Sequence, residues 1–340
     1  MPGRREASPL ALTMGEPAGV GGELALAAWT EAAERGLPPF FVIDDPDRLA
    51  ALAETIGLAV PLRPIADPEE TTEVFPEALP VLPLALDRAV SPGRPDTALA
   101  AAVIAAIDRA AALALAGRVA GVVTSPIHKE TLYAAGFRHP GHTEYLAELC
   151  GVETRPVMML AAAGLRVVPV TIHCRLREAI ERLTTEAIVA CGTTVARALD
   201  TDFGIPAPRL AVAALNPHAG EGGALGDEEA RVIAPAVAEL RRSGVAARGP
   251  EPADTLFHAA ARATYDACLC MYHDQALIPL KTLDFAGGVN ITLGLPIVRT
   301  SPDHGTALDL AGTGRADPTS LIAAITAAAA IAARRAGKGG

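Results

Sequence analysis

Three of the eight histidines occupy one kind of place. His173, His218 and His273 each stand just past an apolar run of strand character: Val168-Pro-Val-Thr-Ile-His173, Leu210-Ala-Val-Ala-Ala-Leu-Asn-Pro-His218 and Cys268-Leu-Cys-Met-Tyr-His273. In open α/β sheets ligands gather beyond the carboxyl ends of strands, so three imidazoles delivered there could converge on one ion. Neutral imidazole suits zinc and other divalent first-row metals, and an open coordination position would admit a substrate oxygen. Asp274, next to His273, offers a carboxylate to the same place. The alternative for each histidine is a hydrogen-bonded structural role, and no close His-x-His spacing ties the three together.

Only Lys129, Lys281 and Lys338 are lysine among the 29 basic residues, so a lysine kept against that arginine bias invites a chemical reason. Lys281 follows His273 by eight residues, Asn290 follows Lys281 by nine and Arg299 follows Asn290 by nine, through a segment of strand character that could form a polar substrate wall. Arginine reads phosphate or carboxylate with a planar fork, and lysine brings a point charge that can also move a proton. Gly141-His142-Thr143-Glu144 opens a helical stretch whose first amides could hold an anion, unless Thr143 or a neighbour merely caps it. The turn Thr13-Met-Gly-Glu-Pro-Ala-Gly-Val-Gly-Gly-Glu23 carries four glycines, but its spacing is not the dinucleotide fingerprint G-x-G-x-x-G.

The elements that must position these residues alternate short apolar runs with alanine-rich helical stretches, the pattern of strands joined by crossover helices in a largely parallel sheet. Strands are expected near residues 10–14, 40–43, 121–124, 167–171, 210–215, 267–272 and 289–293. Helices are expected near 21–35, 46–56, 96–116, 177–198, 227–243 and 318–335. The proline-rich segment 60–92 breaks the alternation, and no flexible linker divides the chain.

With 340 residues, half of them hydrophobic, the chain can bury a large core, and its length favours two lobes. A net charge of −10 argues against nucleic-acid binding. Five cysteines without a CxxC pair suggest neither a disulfide framework nor a zinc knuckle, and a reducing cytoplasm fits best. Residues 1–12 lack an apolar core of signal length, and the longest apolar stretch, residues 321–333, is shorter than the roughly 20 residues a bilayer needs. Neither export nor a membrane span is expected.

Taken together, Thr13 to Glu23, Pro126-Ile-His-Lys129, Gly141-His-Thr-Glu144, Asn216-Pro-His-Ala-Gly-Glu221, Tyr272-His-Asp-Gln275 and Gly288-Val-Asn-Ile-Thr-Leu-Gly-Leu-Pro296 closely resemble the 4-hydroxythreonine-4-phosphate dehydrogenase family, almost end to end. The resemblance implies metal ligands at His173, His218 and His273, shared across a homodimer, and one divalent ion (Zn, Mg or Co) per site. It implies substrate contacts from His142, Thr143, Lys281, Asn290 and Arg299, with Lys281 and Asp274 the candidates for catalytic roles. It implies two α/β/α lobes with mostly parallel sheets and an interlobe active-site cleft, as in isocitrate and isopropylmalate dehydrogenases. The first lobe, on the cofactor side, would comprise residues 1–130 and 285–340; the second, with the metal site and dimer contacts, residues 131–284. Glu16 stands where the family often has Asp, and Gly22 where Pro is frequent.

A second resemblance differs in content. His304-Gly-Thr-Ala-Leu-Asp-Leu-Ala-Gly312 is similar to the adenosine-contacting loop of isopropylmalate and isocitrate dehydrogenases. This implies a non-Rossmann NAD site (NADP not being distinguished) touched by His304, Gly305, Thr306 and Ala307; an unliganded helix N-terminus is the alternative. The implied reaction is oxidation of 4-phosphooxy-L-threonine at C3 and decarboxylation to 3-amino-2-oxopropyl phosphate, in pyridoxal phosphate synthesis. A sister activity on 4-phospho-D-threonate or 4-phospho-D-erythronate would carry the same motifs. A metal-dependent phosphohydrolase would also use clustered His and Asp with a phosphate pocket, and a non-catalytic binding protein would tolerate loss of the histidines, but neither needs the adenosine loop.

Overall fold

Runs such as Phe40-Phe-Val-Ile and Cys268-Leu-Cys become strands because a parallel sheet covered by helices buries both faces of its strands. In the computed structural model, which describes residues 8–338, the strands are β1 (Leu10–Thr13), β2 (Phe40–Asp44), β3 (Leu62–Pro64), β4 (Leu79–Pro83), β5 (Gly121–Thr124), β6 (Val157–Ala162), β7 (Leu165–Pro169), β8 (Arg209–Ala213), β9 (Ala246–Glu251), β10 (Ala267–Cys270), β11 (Val289–Leu293) and β12 (Arg299–Pro302). The expectation for the N-terminal leader falls largely on residues 1–7, outside the described residues.

The chain forms two compact units, one running up to Arg155 and resuming over Leu295–Ala333, the other comprising Pro156–Gly294 and the residues from Arg334 onward. In the first unit the strands run β3-β4-β2-β1-β5-β12, all parallel. The helix Ala100–Leu115 turns Val103, Ala106, Ile107 and Ala110 inward against β1 and β5, a spacing of three and four residues that puts them on one face. In the second unit the order is β11-β6-β7-β10-β8-β9; β6 is antiparallel to both neighbours, and β7, β10, β8 and β9 are parallel. The β6–β7 hairpin closes through Ala163 and Gly164, both with positive φ (47° and 77°), the hand that two-residue hairpins require.

Several expectations are corrected. The proline-rich segment 60–92 continues the sheet rather than breaking it: β3 and β4 lie there, with Pro64 ending the edge strand, where a missing N–H costs no ladder bond. The helix expected over 177–198 is two, Leu176–Arg182 and Thr185–Thr201; Leu183 turns extended, and the Thr184 hydroxyl caps the second by accepting the Ala187 N–H at 3.1 Å. The segment from His273 to Arg299, read as strand-like, begins with a helix, His273–Leu283. Ala276 and Leu280, four apart, are fully buried in the core of the second unit, so helical periodicity prevails despite Pro279. Two helices, Thr97–Leu115 and Thr319–Lys338, are long and apolar enough to cross a membrane by length and composition alone. Both bury an apolar stripe, however, and the second ends in the ion pairs Arg335–Asp202 and Lys338–Asp200.

Candidate active site

The strands β7, β10 and β8 are adjacent and parallel, so His173, His218 and His273 all leave the same end of the sheet. The loops after β7 and β10 are tied together, since the Thr171 hydroxyl donates to the Met271 carbonyl at 2.7 Å. The rings of His173 and His273 come within 5.6 Å, centroid to centroid, beside a cleft of about 640 Å³ lined also by Thr171, Arg175, Tyr272 and Asp274. His273 Nδ1 lies 2.7 Å from Asp274 Oδ1. A carboxylate on Nδ1 fixes the tautomer and leaves the Nε2 lone pair for a cation, so this donor set fits a divalent ion.

His218 does not complete a metal-holding group with His173 and His273: among the described residues no three His, Cys, Asp or Glu side chains are grouped closely enough to hold a metal. It sits instead in the turn Pro217–Gly223, where five successive residues from His218 to Gly222 have φ between 44° and 78°. His218, Ala219 and Glu221 are not glycine, and left-handed backbone costs such residues about 1 kcal/mol or more each. His173 is left-handed too, at φ 45°.

The first unit gathers cationic groups at the ends of β5 and β12. Arg299 opens β12 and is only 4% exposed; its Nε and Nη2 donate to the Thr124 hydroxyl at 3.2 and 2.7 Å. Burial pulls its pKa down to about 10, against the attraction of Glu144. His142 begins the helix His142–Leu149, and burial, then Arg299 and Lys129, hold its pKa well below 6.5, so the ring is neutral at neutral pH. Its Nε2 is inaccessible and has no hydrogen-bond partner. A side chain added at Gly141 would lie 3.7 Å from Lys129 Nζ. The helix has no side-chain cap, so capping by Thr143 does not account for the motif. A buried arginine, a lysine, a buried imidazole nitrogen without a partner and uncapped amides suit an anion of phosphate or carboxylate type.

In the second unit Lys281 stands two turns along the helix from His273, its ammonium 5.1 Å from the centre of the Phe285 ring. Asn290 lies on β11 with a buried Oδ1 that has no hydrogen-bond partner and would accept from a ligand donor.

Residues His304–Ala307 form a loop after β12; no helix begins there, since the next starts at Thr319. The glycine-rich turn proves to be the buttress of this loop. Val20 N–H donates to the Thr306 carbonyl at 3.0 Å, and a Cβ at Gly19 would stand 2.9 Å from that oxygen. Glu23, 2% exposed, accepts the N–H of Gly312 at 3.0 Å and of Ala316 at 3.2 Å. Sequence reasoning missed Glu23 as a brace, and missed Glu229, whose carboxylate accepts the N–H of Leu215 and Asn216 at 2.9 and 2.7 Å. For Glu23 the available signal was an acidic residue inside a glycine-rich and apolar stretch; Glu229 ends the acidic run Asp227-Glu228-Glu229 and carried no such mark.

With this geometry in view, similarity to known proteins is informative. The family profile described as pyridoxal phosphate biosynthetic protein PdxA matches residues 37–328. The chain is 58% identical over 332 residues to a 4-hydroxythreonine-4-phosphate dehydrogenase of Caulobacter vibrioides, covering 96% of this chain and 98% of that one. It is 52% identical over 340 residues to the protein of the same name from Bradyrhizobium diazoefficiens, covering 97% and 98%. The crystal structure of 4-hydroxythreonine-4-phosphate dehydrogenase from Klebsiella pneumoniae superposes with a TM-score of 0.85 at 40% identity, covering 96% of this chain and all of that one.

Proposed function

The chain belongs to the PdxA family and is an oxidoreductase of pyridoxal phosphate biosynthesis, and from that premise we propose that it oxidises 4-phosphooxy-L-threonine at C3, using NAD and one divalent ion, with loss of carbon dioxide to give 3-amino-2-oxopropyl phosphate. The observation that carries this reading is the release of a histidine beyond the same end of each of three adjacent parallel strands, β7, β10 and β8. A phosphohydrolase or a simple binder gives no reason for the braced loop at His304–Ala307.

When bound, the ion supplies a Lewis acid for oxidation and decarboxylation, and the dinucleotide supplies the hydride acceptor. His173, His218 and His273 are the residues that would hold the ion, with Asp274 orienting the His273 ring. His304, Gly305, Thr306 and Ala307 would contact the adenosine portion of the dinucleotide. Arg299, with His142 and Thr143, holds the substrate's anionic groups, and Asn290 accepts from a substrate donor. Lys281, directly or through a water, takes the proton of the C3 hydroxyl as the C3 hydride departs to the dinucleotide; the bond from C2 to the carboxylate then breaks, carbon dioxide leaves, the electron pair passes into the new C3 carbonyl as an enolate, and a proton returned to C2 completes the ketone. The ion is proposed to be shared by two copies of the chain, a homodimer, and the cytoplasm is the proposed place of work. Within the single chain the His173 and His273 rings lie near each other, no three His, Cys, Asp or Glu side chains among the described residues form a metal-holding group, and Leu176, beside the imidazole cleft, is 58% exposed.

The test is NADH formation by purified protein with 4-phosphooxy-L-threonine, run beside 4-phospho-D-threonate and 4-phospho-D-erythronate, with NADP as alternative acceptor and Zn, Mg or Co added singly to chelator-treated enzyme. Preference for the amino acid supports the reading. Preference for a sugar acid moves the activity to the sister reaction, and phosphate release without reduction of either nucleotide rejects it. His173→Ala and His273→Ala should each lose metal and turnover together; full activity in either would sink the proposed ligand set.

A further inference from the structure

The turn that carries His218 is held in a conformation its sequence does not favour. From His218 to Gly222 the backbone is left-handed throughout, at three positions without glycine. Such a turn persists only if its surroundings fix it. One carboxylate meets both the entry and the middle of the turn. Glu229, 6% exposed, accepts the N–H of Leu215 and of Asn216 through Oε1, at 2.9 and 2.7 Å, which anchors the entry to the turn. Through Oε2 it accepts from Asn216 Nδ2 at 3.0 Å, and Glu228 Oε2 accepts from the same amide nitrogen at 2.7 Å. The middle of the turn packs on the same group, since a Cβ at Gly220 would stand 2.7 Å from Glu229 Oε2. The exit folds back by a hydrogen bond from Leu225 N–H to the Gly220 carbonyl at 3.1 Å.

Glu229 also opens a π-turn, Glu229–Ile233, that leads into the helix Ala234–Arg242. A π-turn inserts an extra residue into a helix and re-aims the side chains beside it, a device concentrated at functional sites. We propose that Glu229 is a positioning residue for His218: from the π-turn it clamps the left-handed turn so that the imidazole is presented to the divalent ion. The inference rests on the reading of His218 as a ligand. Glu229 itself does not touch the ion; it acts through the backbone of Leu215 and Asn216.

The test is a titration of chelator-treated, full-length protein with Co²⁺, read by visible absorption, together with hydrogen exchange across residues 214–226. Glu229→Ala should weaken Co²⁺ binding about 10- to 100-fold, as loss of an outer-shell partner does, and speed exchange at Leu215 and Asn216. Glu229→Gln should fall between wild type and Glu229→Ala, because its amide oxygen still accepts both backbone N–H groups while its NH₂ meets the Asn216 NH₂. The double variant His218→Ala/Glu229→Ala should bind no more weakly than His218→Ala alone. Asp202→Ala is the control for a merely structural effect. Asp202 is another buried carboxylate of the same unit, paired to Arg335 at 2.8 Å, and its removal should lower stability without changing Co²⁺ affinity or spectrum. Wild-type affinity in Glu229→Ala, or equal losses in Glu229→Ala and Asp202→Ala, overturns the proposal. Wild-type binding in His218→Ala removes the ligand reading and the proposal with it.

Discussion

Arg299 and His142 show how burial selects a chemical role. The Arg299 guanidinium is almost wholly out of water, where its Nε and Nη2 donate to the neutral Thr124 hydroxyl, and a charge in so dry a place acts strongly on an anion brought beside it. Arg299→Lys keeps the charge but loses the fork, and should raise KM for the phosphorylated substrate about 30-fold, near 2 kcal/mol for a charged hydrogen bond, with thermal stability little changed. Steady-state kinetics checks this; an unchanged KM would remove Arg299 from the substrate contacts. His142 makes a prediction about pH. Its folded-state pKa lies well below 6.5, so between that depressed value and 6.5 the unfolded chain takes up a proton that the folded chain does not. The stability difference is absent above 6.5 and grows as pH falls, by at most about 1.4 kcal/mol per pH unit. Urea unfolding near pH 7.5 and near pH 5.5 should show wild type losing more stability on acidification than His142→Gln; equal losses would contradict a buried neutral ring.

At the scale of elements, one strand-to-helix turn supports another loop. The glycines between Thr13 and Glu23 let the chain approach Thr306 closely, and Glu23 then fastens Gly312 and Ala316. Glu23→Ala leaves those two amides without their acceptor, at about 1–3 kcal/mol each if water cannot replace it. It should weaken NAD binding roughly tenfold, taking about 1.4 kcal/mol of loop ordering as the share that binding must restore, while kcat at saturating NAD changes little. Calorimetric titration with NAD, and exchange at the 312 and 316 amides, would show it; tight binding with a loosened loop would mean that the loop does not touch the cofactor. Here the sequence was legible in part. The apolar runs marked β1, β2, β5, β8, β10 and β11 to within two residues, because buried parallel strands have few other sequence solutions. It was silent on β3 and β4, whose prolines read as loop, and on β6, β9 and β12, and it took the stretch from His273 to Arg299 as strand-like although His273–Leu283 is a helix, its apolar residues suiting either period until the core chooses one. Each histidine was visible beyond its strand. That β7, β10 and β8 are neighbours was not, because strand order is set by long-range pairing and leaves no local mark.

At the scale of the molecule, a shared ion requires a face on which two copies meet. The second unit exposes large apolar side chains near its candidate ligands: Leu176 and Ile180 on the helix after His173, and Ile278, Leu283 and Phe285 on and beyond the helix that His273 opens. Ile278 is 64% exposed and Phe285 78%, and large hydrophobic side chains left in water suit a protein contact, here that of the proposed homodimer. Burying an isoleucine there contributes about 2 kcal/mol per copy, whereas a carboxylate at its place would have to be desolvated without a partner. Ile278→Glu should therefore convert a dimer into monomers by light scattering at concentrations where wild type is paired, without unfolding either unit by circular dichroism. If the ion is held by residues of both copies, the monomer should bind Co²⁺ about as weakly as His218→Ala and turn over substrate no faster, yet bind NAD with wild-type affinity, since the His304–Ala307 loop belongs to the first unit. A monomeric Ile278→Glu that kept its metal and its activity would place the complete ligand set within one chain.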